Sequence, residues 1–308
     1  MGQSASAKKE RMPEPASETT TRTVTRSTNA NRPSDEDIIN FENQIREEQI
    51  KTQPLMSPRL PISVLLDEYA SSPNSNFLSK ILQLQEEYAA LRKSRGDGNC
   101  FFRAFSFALV ESIAAMNLAE REKETEWLKG TIGKDLQSAG FEKMAYEDFY
   151  EELFAIFSDP QLYINDSPGD YLADLWQAES HRSHALVVIL RLVASAYLRG
   201  HAEEYEPFIW EAGLDMVSYC QRHVECLGVE SDQIHAIALG KALRVNVQIA
   251  YLDGSDGPLS CINLPVLEPS SASNNSNNNL PPGSHPSPVT ITITLLYRPG
   301  HYDLLYTK

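Results

Sequence analysis

Apolar residues recur at three- and four-residue steps along much of the chain, and that spacing predicts helices with one buried face. Ser34 and Asp37 form a capping-box pattern that opens the first one. Ile38, Phe41 and Ile45 then share a face, so an amphipathic helix is expected over 34–50, docked on its own domain or on a partner. Pro54 and Pro58 separate it from the next helices. Phe77, Ile81, Leu84, Tyr88 and Leu91 predict a second helix. Gly96 and Gly98 break the pattern, and a helix from about Cys100 to Leu118 carries the stripe Phe101, Phe105, Leu109 and Ile113. Helical periodicity returns over 120–139, 146–158, 170–177, 183–199 and 231–243. Residues 244–252 alternate as a strand. Val289, Ile291, Ile293 and Leu295 alternate with Thr290, Thr292 and Thr294, which predicts a strand with one buried face. A turn at Pro299-Gly300 leads to a last strand, His301 to Tyr306. Many helices and a few late strands define an α+β class.

Composition changes this picture at two places. Residues 1–33 contain no aromatic residue and are rich in Ser, Thr and Ala, too polar to offset chain entropy, so a disordered tail is expected. Residues 253–288, dominated by Gly, Ser, Asn and Pro, read as a long flexible loop inside a domain spanning 51–308. With 42% hydrophobic and 22% charged residues, the rest suits a globular domain. The greasiest run, Ala185 to Leu198, is interrupted by Arg191 and reads as a buried helix instead of a membrane span.

Net charge is −15, while residues 1–34 carry +3. The acidic body argues against nucleic acid as the partner. The tail begins Met1-Gly2-Gln3-Ser4-Ala5-Ser6 and continues with Lys8, Lys9 and Arg11. That fits N-myristoylation of Gly2 with a basic flank as second membrane signal, against the alternative of a chance Met-Gly start. With no hydrophobic signal core in the sequence, cytoplasmic location is expected, with membrane association or a nuclear pool as variants. The four cysteines, Cys100, Cys220, Cys226 and Cys261, form no CxxC pair, and reduced thiols are expected. Cys220, His223 and Cys226 lack a fourth ligand in view, so packing on one helix is favoured over zinc. Neither metal nor cofactor is expected.

Two segments carry chemistry. In Gly96-Asp97-Gly98-Asn99-Cys100-Phe101-Phe102-Arg103, a cysteine stands where a glycine-rich loop becomes a helix. Unpaired helix N–H groups there favour an anionic sulfur and can face a developing oxyanion. In Arg298-Pro299-Gly300-His301-Tyr302-Asp303, strand alternation places His301 and Asp303 on one side and Tyr302 on the other. A carboxylate beside an imidazole fixes its tautomer and stabilises the imidazolium. His301 would take the Cys100 proton and return it to a leaving amine. Each segment alone has a bland reading: a small core cysteine, a surface His-Asp pair.

Together they resemble the two catalytic blocks of the ovarian-tumour-domain cysteine proteases, and the otubain branch in particular. Ser231-Asp232-Gln233-Ile234-His235-Ala236, Asp170-Tyr171-Leu172, the Arg191-Leu192 helix and Leu295-Leu296-Tyr297-Arg298 are similar too. The resemblance runs from about Asp35 to Lys308. It implies a papain-like α+β core with helices packed on a small, mostly antiparallel sheet. The implied activity is cysteine-dependent hydrolysis of ubiquitin isopeptide bonds, without a cofactor. By the same resemblance Cys100 is the nucleophile, His301 the base, Asp303 the orienting acid and Asp97 a support of the active-site loop. Ser231, Asp232 and His235 fall on the surface for the distal ubiquitin. Ile38, Phe41 and Ile45 fall on the helix that meets the proximal ubiquitin or a ubiquitin-conjugating enzyme. The basic Gly2-led tail and the long Asn-rich insertion depart from the family pattern.

Two other readings compete with an active isopeptidase. One is a non-catalytic module that binds ubiquitin or a conjugating enzyme and restrains ubiquitination. The other is a papain-like protease acting on ordinary peptides.

Overall fold

In the computed structural model the described residues are 41, 44, 48, 52–209, 213–264 and 291–308. The chain divides into two units, Met1–Glu42 and Asn43–Lys308. Phe41, in the first unit, is helical and exposed, whereas Ser34, Ile38, Ile45 and Gly2 lie outside the described residues.

The second unit is built on a six-stranded sheet of order β1-β2-β6-β5-β3-β4. Its strands are β1 (Leu60–Pro61), β2 (Tyr88–Arg92), β3 (Val245–Tyr251), β4 (Ser260–Leu264), β5 (Ile291–Arg298) and β6 (His301–Thr307). All the pairings are antiparallel except β3 with β5. Around it lie α1 (Val64–Tyr69), α2 (Asn76–Glu87), α3 (Cys100–Ala114), α4 (Leu118–Ser138), α5 (Lys143–Phe157), α6 (Gln161–Ile164), α7 (Pro168–Ala178), α8 (Ser180–Gly200), α9 (Ala202–Tyr205), α10 (Met216–Tyr219) and α11 (Gln233–Leu243).

The sheet separates two apolar cores. Val245, Val247, Ile249, Ile293, Leu295 and Leu304 join the larger one with α3, α5, α8 and α11. Ala250, Leu296 and Leu305 face the smaller one with Leu65 of α1 and Ile81 and Leu84 of α2. Cover on both faces explains a departure from the expected β5: Thr294 is buried, hydrogen-bonded to Gln248 Oε1 at 3.2 Å, so both sides of the strand are shielded there. The helix Cys100–Ala114 departs in the same way. Apolar and polar faces alike are buried, because it runs through the centre of the molecule between sheet and helices. Helix Ser180–Gly200 is long and apolar enough to cross a membrane by composition, yet its body is buried against α3, α4, α5 and α11.

Two expectations need correction. The helix starting near Phe77 ends at Glu87, and Tyr88–Arg92 form a strand paired with β6. Tyr88 and Leu91 continue the helical spacing by coincidence, since a strand residue buried on either face satisfies the same short pattern. Within the segment read as a loop, Ser260–Leu264 pair with β3 as an edge strand. Its residues are mostly exposed and show no alternation, so periodicity gave no signal. Residues 265–290 lie outside the described ones.

Candidate active site

The strand β2 and the segment after it bring the cysteine loop to the last hairpin. Residues 93–95 run beside 55–57, with Ser57 N–H bonded to Lys93 O at 2.8 Å and Arg95 N–H to Leu55 O at 3.0 Å. The chain then turns through Gly98, whose φ of +78° suits a glycine. A Cβ at Gly98 would come within 2.1 Å of the Gly228 carbonyl oxygen, so this position also serves a close backbone approach.

Cys100 is the first residue of the helix Cys100–Ala114 and is 4% exposed. Across from it, His301 and Asp303 point to the same side of β6. His301 Nε2 and Asp303 Oδ1 are 2.8 Å apart, and the Cys100 side chain lies near enough to the ring to act on its charge. With Nε2 engaged by the carboxylate, Nδ1 is the nitrogen left for sulfur. Burial works against a charged imidazole. The hydrogen bond to Asp303 and the charges of Asp303 and Cys100 outweigh it, and the His301 pKa rises to about 9. Tyr302 turns the other way and packs edge-on against Phe101, ring centres 5.4 Å apart.

Asp303 is fully buried, and its oxygens are divided among three donors. Oδ1 also accepts from Ser94 N–H at 3.0 Å, and Oδ2 accepts from Arg298. Burial alone would raise this carboxyl, but His301, Arg298 and the Ser94 amide hold it below the usual carboxylate range. Arg298 Nη1 also donates to Glu68 Oε2 of α1 at 3.0 Å. Sequence reasoning assigned Arg298 no role, and only its position ahead of the Pro-Gly turn hinted at one.

Asp97 is not part of this line. Arg103 grips both of its oxygens, at 2.8 and 2.7 Å, and Asn99 N–H donates to Oδ1 at 3.0 Å. Burial is again outweighed, here by Arg103, and the carboxyl is held low. The structure therefore places Asp97 as a brace of the loop. Arg191 is a second brace, which the sequence marked as an interruption of an apolar run and as part of the family resemblance but gave no role. Fully buried, it donates to Gly98 O at 3.0 Å and to Val224 O at 2.9 Å. Burial depresses its pKa to about 10.

Ser231 and Asp232 precede α11, and Asp232 caps it by accepting from Gln233 N–H at 2.7 Å. Asp232 is exposed. His235, expected on the same docking surface, is 1% exposed, and this corrects its assignment. Its Nδ1 accepts from Asp232 N–H at 2.9 Å, and burial, with Arg191 and His223 nearby, pushes its pKa to about 3. A neutral, enclosed ring that completes a capping box shapes the turn and offers no face to a partner.

A cleft of about 800 Å³ opens beside His301, lined by Ser57, Glu68, Tyr69, Phe77, Lys93, Ser94 and Arg298 among others. It is reached from the surface, while the Cys100 side chain is nearly enclosed. The arrangement suits acyl transfer: a nucleophilic sulfur, a base oriented by a carboxylate, and helix amides near the sulfur.

A family model described as peptidase C65 otubain matches residues 48–307. Human ubiquitin thioesterase OTUB1 is 37% identical over 275 residues, 88% of this chain and 90% of that protein. An Arabidopsis thaliana ovarian tumor domain-containing deubiquitinating enzyme 1 is 34% identical over 85% of this chain and 84% of its own. Among solved structures, a complex of h/ceOTUB1 with ubiquitin aldehyde and UBCH5B~Ub superposes with a TM-score of 0.71. It is 29% identical and covers 89% of this chain and 98% of that one. A ceOTUB1–ubiquitin aldehyde–UBC13~Ub complex gives 0.70 at 29% identity, over 87% of this chain and 98% of that one.

Proposed function

Because this chain belongs to the peptidase C65 otubain family, we propose that Cys100, His301 and Asp303 are the residues that cut the isopeptide bond at the ubiquitin C-terminus. The chain is a cysteine-type deubiquitinase with an α+β fold of the ovarian-tumour class. The observation that carries the assignment is the His301–Asp303 hydrogen bond with the Cys100 side chain beside the same ring.

The Cys100 sulfur, its proton passed to His301 Nδ1, attacks the carbonyl carbon of the terminal glycine. Negative charge gathers on the carbonyl oxygen and is met by amides at the start of the helix. The C–N bond then breaks, and the imidazolium gives its proton to the lysine amine, leaving a thioester on Cys100. Water, deprotonated by His301, attacks the thioester and releases the ubiquitin carboxylate and the thiol. Asp303 keeps the ring in register in both halves. His301 lines the cleft of about 800 Å³, so the departing amine occupies that side.

Ubiquitin carrying an electrophile at its C-terminus tests the assignment. The wild-type chain should gain one ubiquitin mass on Cys100, and Cys100→Ala should gain none. Labelling that survives the substitution would reject Cys100 as nucleophile.

A second reading rests on the complexes of similar chains with UBCH5B~Ub and UBC13~Ub. It gives this chain a contact with a ubiquitin-conjugating enzyme that needs no cutting, through the 34–50 segment and Phe41 in particular. Cys100→Ala should then keep its hold on the conjugating enzyme, measured by pull-down, while losing hydrolysis. The Gly2-led tail supports acylation and membrane contact for a chain otherwise in the cytoplasm. Gly2→Ala should shift the protein to the soluble fraction, and an unchanged distribution would end that proposal.

A further inference from the structure

Arg298 and His301 stand opposite each other across the turn Pro299-Gly300, where β5 meets β6. Further along β6, Asp303 is opposite Leu296. It is therefore the diagonal neighbour of Arg298 on one face of the hairpin, a separation that a long side chain spans. Arg298 Nη2 donates to Asp303 Oδ2, and Nη1 donates to Glu68 Oε2 of α1 at 3.0 Å. Glu68 in turn pairs with Lys93, the residue after β2. Charges thus alternate from Lys93 through Glu68, Arg298 and Asp303 to the His301 imidazolium.

The two oxygens of Asp303 are held differently. Oδ1 accepts from His301 Nε2 at 2.8 Å and from Ser94 N–H at 3.0 Å. Among the described residues, Arg298 is the donor on Oδ2. Asp303 is fully buried, so solvent cannot stand in for that donor. A buried carboxylate with one oxygen unpaired is costly, and it relieves the cost by swinging to a new donor or by taking up a proton. Either response spoils it as the acceptor of the imidazole N–H. The arginine is itself tethered, because Glu68 holds its other terminal nitrogen from an element outside the hairpin. A planar guanidinium fixed at both terminal nitrogens has its direction set, which a single ammonium would not.

We propose that Arg298 is a positioning residue for the deubiquitinase reaction: tethered to Glu68, it holds Asp303 Oδ2 so that Oδ1 stays on His301 Nε2 through both halves of the cycle. This rests on Cys100, His301 and Asp303 being the residues that cut the isopeptide bond. Arg298 acts through Asp303 and touches no reacting atom. Without it the ring loses its fixed tautomer and direction, so proton transfer slows. Binding of a substrate with no acceptor protein would hardly change.

The test is turnover of ubiquitin bearing a fluorogenic C-terminal amide, which leaves the cleft beside His301 without an acceptor protein. Arg298→Met, Arg298→Gln and Arg298→Lys are each measured alone and combined with Asp303→Ala. Arg298→Met should lower kcat by about 100-fold, the scale of a misplaced catalytic group, with KM nearly unchanged. Arg298→Lys keeps a cation within reach of Oδ2 and should return about tenfold of that loss, on the same scale. In the Asp303→Ala background, Arg298→Met should lower kcat no further, because nothing is left for it to position. A merely structural Arg298 predicts the same fold-loss in both backgrounds. Arg298 also lines the cleft, and a role in holding the acceptor predicts a raised KM for di-ubiquitin with the fluorogenic substrate unaffected. Either result overturns the proposal, as does unchanged kcat in a folded Arg298→Met. If Arg298→Met does not fold, Arg298→Gln carries the same comparison, since a neutral amide cannot replace the ion pair. Full activity of Asp303→Ala, or an inactive wild-type chain, would instead overturn the isopeptidase site on which the proposal rests.

Discussion

Proton traffic at the site is governed by the His301 ring, which is hydrogen-bonded to Asp303 through Nε2 and has Cys100 beside it. Its pKa of about 9 keeps the imidazolium available at neutral pH to protonate a leaving amine. His301→Ala should lower kcat by roughly two to four orders of magnitude, as expected when general acid–base help is lost. The pH profile is more diagnostic. The alkaline limb of kcat/KM should lie near 9 in the wild type, because the imidazolium disappears there. Asp303 raises that pKa through its hydrogen bond and charge, so Asp303→Asn should move the limb to lower pH. A limb that stays in place would mean that another group titrates.

At the scale of elements, the crossing of the 97–100 loop with the 224–229 segment decides whether the cysteine is presented at all. Gly98→Ala puts a Cβ into the Gly228 carbonyl and keeps φ at +78°. Strain of about 1–3 kcal/mol is expected, read as a lower melting temperature together with lost ubiquitin-probe labelling. The cysteine loop and the His-Tyr-Asp strand were legible in the sequence because each has a local signature, glycines before a helix and two-residue alternation. Arg191, Arg298 and Gly228 were not. Their roles come from contacts across long stretches of chain, and no single-segment pattern records those. The enclosure of His235 was invisible for a related reason: burial depends on what α11 packs against. Tyr88–Arg92 was misjudged because a five-residue strand is too short for its period to be told from the helix before it.

Over the whole molecule, the site couples its charges to stability. His301 is raised above its ordinary value, so its contribution is full below about pH 6.5 and is lost as pH climbs through about 9. Asp97 and Asp303 are lowered, so theirs is present above the ordinary carboxylate range and is lost as pH falls below it. Melting temperatures measured against pH should therefore decline on the alkaline side more steeply in the wild type than in His301→Ala. Equal slopes would contradict the assigned shift. The central claim, that this chain severs ubiquitin isopeptide bonds through Cys100, is tested most directly by a panel of isopeptide-linked di-ubiquitins incubated with wild type and Cys100→Ala. Single ubiquitin should be released from at least one linkage by the wild type and from none by the variant. Intact dimers throughout, or equal release by both proteins, would contradict it.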